Sequence, residues 1–145
     1  MASVFSRIVA GELPARFVWK DEHAVAFLSN RPLRPGHTLV VPRLEVDHWL
    51  DVDPQILSHL TKIAQVVGRA QMTVFKPVRV GMMIAGLEVP HLHIHVVPRR
   101  FKDGLRGFLW PRQRYEDDEA EARVAAAVRA ALATEAISDA PQQGG

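Results

Sequence analysis

The stretch "VPHLHIHVVPRR", residues 89–100, sets histidine at 91, 93 and 95 with leucine, isoleucine and valine at 92, 94 and 96. Strict alternation is the period of a β-strand, so three imidazoles share one face while Leu92, Ile94 and Val96 point to the other, toward a core. With 7 histidines in 145 residues, random placement at the strand period gives such a triplet in about one chain in sixty. A functional cluster therefore competes with the polar side of an ordinary strand.

Outward from this stretch, "VRVGMMIA" (78–85) reads as a largely buried fourth strand, and residues 86–89 turn the chain into the fifth. "SVFSRIVA" (3–10) reads as a short helix closed by Gly11. "RFVWK" (16–20) and "HAVAFL" (23–28) flank Asp21 and Glu22 as a hairpin, and a third strand runs from about His37 to Val41 after the turn at Pro35 and Gly36. Asp53 and Pro54 are an N-cap and a first helical residue. The apolar residues Ile56, Leu60, Ile63, Val67 and Ala70 then follow at helical spacing. Asp117 to about Ala136 suits a terminal helix with Val124, Val128 and Leu132 on its apolar side, and residues 138–145 a disordered tail. The order gives an α+β fold, a five-stranded antiparallel sheet with one long helix and shorter and terminal helices, in a single domain over 1–137.

Composition narrows the function classes. The net charge of +2 is too small to argue for a nucleic-acid partner, and no apolar run reaches the length of a membrane span. Arg7 and Glu12 interrupt the place where a signal peptide would be apolar, so a cytoplasmic protein is expected. Without cysteine there is no disulfide, thiolate zinc site or cysteine nucleophile. Arg31, Arg34 and Arg43 in one segment, and Arg99, Arg100, Lys102 and Arg106 in another, attract a phosphorylated small molecule if folding brings them together.

Two chemistries use imidazoles so placed. Three alternate residues span about 13 Å between their outer Cα atoms, awkward for one ion with ligand bonds of about 2 Å. A metal would take two of them plus His37, Glu88 or another remote group. Alternatively, a neutral imidazole attacks phosphorus, held in one tautomer by a main-chain carbonyl, with its neighbours as hydrogen-bond donors. If the third strand lies beside the fifth, His37 joins them.

"HLHIHVV" (91–97) fits the signature of the histidine triad (HIT) proteins, His-φ-His-φ-His-φ-φ with φ apolar, and the chain resembles that family. The resemblance also rests on "VFSRIVAGELPARFVWKDEHAVAF" and "RPLRPGHTLVVPR". It implies a HIT-like fold and cleavage at the α-phosphate of a purine nucleotide or nucleotidyl conjugate. His93 is then the nucleophile that forms a nucleotidyl-histidine, His91 orients it, His95 contacts the phosphate or leaving group, and His37 supports from the neighbouring strand. Phe5, Ile8 and Phe27 line a base pocket. The resemblance implies neither metal nor cofactor at the triad, and it implies a homodimer joined edge to edge through the sheet with the long helix at the interface.

The chain also departs from the family pattern. Ser3 and Ser6 stand where bacterial relatives carry zinc-binding cysteines, and Glu45 stands in the further ligand segment, so that zinc site is expected to be absent. Ser29, with Asn30 beside it, replaces an acidic residue that holds the ribose hydroxyls, and Glu88 stands near the phosphate. His23, His48 and His59 are expected in a turn, a loop and on an exposed helix face, and Trp19, Trp49 and Trp110 in packing. Three activities fit: a nucleoside phosphoramidase or related nucleotidyl hydrolase or transferase; a dinucleoside polyphosphate hydrolase or phosphorylase; and a nucleotide-binding module with weak catalysis.

Overall fold

Ser3 opens the first helix, α1 (Val4–Val9), its hydroxyl accepting the Ser6 N–H at 3.0 Å. The hairpin follows as β1 (Phe17–Lys20) and β2 (Ala24–Leu28), its turn tied by Asp21, whose carboxylate accepts the N–H groups of His23 and Ala24. Next come β3 (Thr38–Pro42), a short 3-10 turn (Trp49–Asp51), the long helix α2 (Pro54–Phe75), β4 (Arg79–Met83), β5 (Ile94–Arg99) and α3 (Asp118–Leu132). This computed structural model describes residues 2–105 and 112–135; the expected tail at 138–145, Arg106 and Trp110 lie outside them. Contacts divide the chain into two compact units, Met1–Gly104 and Leu105–Gly145.

In the first unit the strands form one antiparallel sheet in the order β1-β2-β3-β5-β4, the α+β architecture read from the sequence. Alternation along the strands separates two apolar clusters. Ala24, Ala26, Val40, Ile94 and Val96 meet Leu60, Ile63 and Val67 of α2 on one face; Val25, Phe27, Leu39 and Val41 meet Phe5 and Ile8 of α1 on the other. Asp53 caps α2 and Pro54 begins it, as the sequence requires. The buried stripe of α2 ends at Gln71 instead of Ala70, which is exposed. The Gln71 amide donates to the carbonyls of Gly36 and Val96, stitching α2 to the sheet. His59 is likewise not free on the helix surface: its Nε2 lies 2.7 Å from the Asp21 carboxylate.

Two strands differ from expectation. Among the described residues β4 pairs with β5 alone, at the edge of the sheet, so it is mostly half-buried, and Met82 is 60 % exposed. β5 begins at Ile94, after two of its three expected histidines. The β3–β5 pairing ends at Val40 and Ile94; continued two residues it would set Leu92 against Pro42, and proline has no N–H for the ladder. Leu92 N–H turns instead to the Val46 carbonyl, at 2.7 Å.

In the second unit, Asp117 caps α3 through the Ala120 N–H at 2.7 Å, with Asp118, Glu119 and Glu121 in the first turn and Arg129 in the last, the charge order a helix dipole favours. Val124, Val128 and Leu132 are exposed, and the helix stops at Leu132, short of Ala136.

Candidate active site

Although only His95 lies within the paired strand, His91, His93 and His95 are 0 %, 3 % and 8 % exposed, and His37, at the entry to β3, is 3 % exposed. The alternation survives the loss of the ladder because Leu92 and Ile94 are anchored in the α2 cluster, which turns the imidazoles to the α1 side.

Each ring has a partner that decides where its proton sits. A carbonyl can only accept, so His93 Nδ1, 2.7 Å from the His91 carbonyl oxygen, carries the hydrogen and leaves Nε2 with a lone pair. An amide can only donate. Leu33 N–H therefore fixes His37 Nδ1 as acceptor at 3.0 Å, and His37 Nε2–H donates to His95 Nδ1 at 2.9 Å. Neutral His95 then presents its own N–H from Nε2. His91 Nε2–H donates to the Pro42 carbonyl at 2.8 Å, and its Nδ1 accepts from the Ser3 hydroxyl at 2.7 Å. The rings of His93 and His95 are 4.8 Å apart. The array thus sets a bare imidazole nitrogen beside an imidazole N–H donor.

Electrostatics favours the neutral form of His95, His37 and His91. Burial, then the neighbouring His93 and His37, pushes His95 down to about 4. Burial also lowers His37, partly offset by the charge of Glu88, and lowers His91 against the opposing effects of the Pro42 carbonyl and Glu45.

Ser3, Ser6 and Glu45 converge on His91. Glu45 accepts from the Ser3 N–H and, at 2.9 Å, from the Ser6 hydroxyl. Those bonds, the Ser3 N–H foremost, hold the Glu45 carboxyl down to about 2. These are hydroxyls and one carboxylate already bonded to each other and to the imidazole, so the donor set does not fit the zinc site of bacterial relatives. Among the described residues, no group of three or more histidine, cysteine or acidic side chains is placed to hold a metal. Sequence reading found these three positions as departures but not their convergence on His91, because the partners are up to 88 residues apart and follow no period.

The expected binding residues are distributed as follows. Phe5, Ile8 and Phe27 are all buried in the α1-side cluster, and Phe5 meets His93 edge to face at 4.9 Å between ring centres. Ser29 N–H donates to the His37 carbonyl, and its hydroxyl accepts the Arg31 N–H; Asn30 is exposed. Glu88 is exposed on the loop before the triad. A cleft of about 180 Å³ opens beside His91 and His93 between that loop and the Asp47–Trp49 segment. Trp49 was expected in packing, yet it is partly exposed on the cleft wall; Trp19 is also partly exposed, its indole N–H bonded to Asp21. His48 is exposed on its loop and caps the 3-10 turn through the Leu50 N–H.

A five-stranded α+β sheet with a buried alternating histidine array beside its central strands defines the histidine-triad class. The HIT domain family model matches residues 10–102, and the chain belongs to that family. An uncharacterized HIT-like protein of Mycobacterium tuberculosis is 34% identical over 141 residues, covering 92% of this chain and 94% of that one. The adenosine 5′-monophosphoramidase of Saccharomyces cerevisiae is 27% identical over 121 residues, covering 81% of this chain and 75% of the other. A crystal structure of a HIT family member from Bacillus subtilis superposes with a TM-score of 0.81 at 26% identity, covering 95% of this chain and 100% of that chain.

Proposed function

We propose that the chain is a nucleotidyl hydrolase acting at the α-phosphate of purine nucleoside phosphoramidates or related nucleotidyl conjugates, with His93 Nε2 as nucleophile. The observation that carries this reading is the His93 Nδ1–H bond to the His91 carbonyl, in a ring that lines the cleft and whose centre lies 4.8 Å from that of His95. The yeast relative's activity on an adenosine phosphoramidate supports the substrate class.

In the first step Nε2 bonds to phosphorus and the bond to the leaving amine breaks. The His91 carbonyl stabilises the positive charge that develops on the ring through Nδ1–H. His95 Nε2–H donates to the phosphate or the leaving group, and the amine departs with a proton drawn from water. Water then displaces His93 and releases the nucleoside monophosphate. The 180 Å³ cleft is below the roughly 300 Å³ of a whole-ligand site, which suits a phosphate and its leaving group. The purine would lie against Phe5, Ile8 and Phe27, with Ser29 and Asn30 at the ribose. Glu88, exposed on the loop that walls the cleft, favours leaving groups that are not themselves anionic.

The test is turnover of adenosine 5′-phosphoramidate against a diadenosine polyphosphate at equal concentration, with and without chelator. Faster hydrolysis of the phosphoramidate, unchanged by chelator, is the expected result. Preference for the dinucleotide, or loss of activity in chelator, would overturn it.

A further inference from the structure

We propose that a second cavity, sharing no residue with the cleft beside the triad, binds the phosphates of a nucleotide. It measures about 410 Å³ and lies between the Arg34–Pro35 turn, Phe75 at the end of α2, and the turn after β5 that carries Arg100, Phe101 and Lys102. The two basic segments distant in sequence thus meet in space.

Its charge is one-sided. Arg34, Arg100 and Lys102 line it against one carboxylate, Asp103, which is already bonded to Arg99 at 2.6 and 3.2 Å. Asp103 also accepts the Arg100 N–H at 3.3 Å, so the turn that presents the cations is fixed without a ligand. Lys102 sits there in the left-handed region, at φ 56°, which is uncommon for residues other than glycine. The C-terminal carbonyls of α2 would repel an anion, but the Arg100 guanidinium caps the Phe75 carbonyl and keeps further N–H groups for a ligand.

Two observations point to a ligand and to its kind. Arg34 Nε is buried and has no hydrogen-bond partner among the described residues, an unfavourable state unless something accepts from it. Phe101 is 84 % exposed at the rim, a free aromatic face of the sort on which a base stacks. Cations grouped for more than one phosphate, beside a bare ring, fit a nucleoside di- or triphosphate better than a single inorganic anion. The volume lies within the roughly 300–1,000 Å³ of small-molecule sites.

The experiment titrates ADP and, separately, inorganic pyrophosphate into the isotope-labelled full chain and follows amide resonances of residues 101–104 beside those of 91–95. ADP is expected to move the 101–104 set with its own saturation curve. Lys102→Asn removes the charge with a residue that tolerates φ > 0, and should weaken that curve at least about tenfold for both ligands. Phe101→Ala should weaken ADP and leave pyrophosphate unchanged. Unmoved 101–104 resonances, or a curve indifferent to Lys102→Asn, would overturn the site. Equal responses to ADP and pyrophosphate in wild type and Phe101→Ala alike would overturn its assignment to a nucleotide. None of these readouts requires turnover, so they stand or fall separately from the role of His93.

Discussion

His95 is buried between His37 and His93 and carries a proton only near pH 4, whereas in the unfolded chain it titrates near 6.5. Between those values the unfolded chain binds more protons, so the folded state loses stability as pH falls from above 6.5 toward 4. His37 and His91, also lowered, add in the same direction. The melting temperature should therefore drop between pH 7.5 and 5, and drop less in His95→Asn; equal slopes would contradict the assignment. The same residue tests the chemistry, since removing one oriented donor costs about 10²–10³ in kcat. His95→Ala should lose that much with adenosine 5′-phosphoramidate, and much less with a conjugate whose leaving group needs no assistance. At this scale the four histidines were legible because alternation and the turn before His37 are local signals. The bonding of Ser3, Ser6 and Glu45 around His91 was not, since hydroxyls and a carboxylate up to 88 residues from that ring follow no period.

Among the elements, the turn into β3 carries the most consequence for the site. Gly36 has φ 90°, and a Cβ there would lie 2.3 Å from the Phe75 ring. Its carbonyl accepts from Gln71, and the next residue is His37. Gly36→Ala should therefore cost at least about 1–3 kcal/mol in backbone strain alone, measured by denaturant unfolding, and lower activity by displacing His37. An unchanged midpoint would show that the turn yields freely. The caps at Asp53 and Asp117, the hairpin turn at Asp21 and the two-sided alternation of β2 and β3 are all written in short runs of sequence. The truncation of β5 is not. It depends on Pro42 standing where Leu92 would pair, a register set only once the strands pair. The exposure of β4 likewise follows from its place at the sheet edge, which local periodicity does not encode.

For the whole molecule, the side of β4 that no described strand pairs and the adjoining face of α2 form a groove lined by Met72, Val78, Val80 and Met82. Unpaired edges bearing exposed apolar residues invite pairing, and we propose that two chains join there. Light scattering should give twice 16.2 kDa, and Met82→Glu should shift the mass toward the monomer; a monomeric wild type would contradict the proposal. The central claim is that His93 becomes covalently nucleotidylated. Intact-protein mass spectrometry of samples quenched during turnover of adenosine 5′-phosphoramidate tests it most directly. The account predicts an acid-labile nucleotidyl adduct on wild type, none on His93→Ala, and a loss of turnover in that variant of at least about 10³-fold. A His93→Ala protein that still turned over at the wild-type rate, or that carried the same adduct, would contradict it.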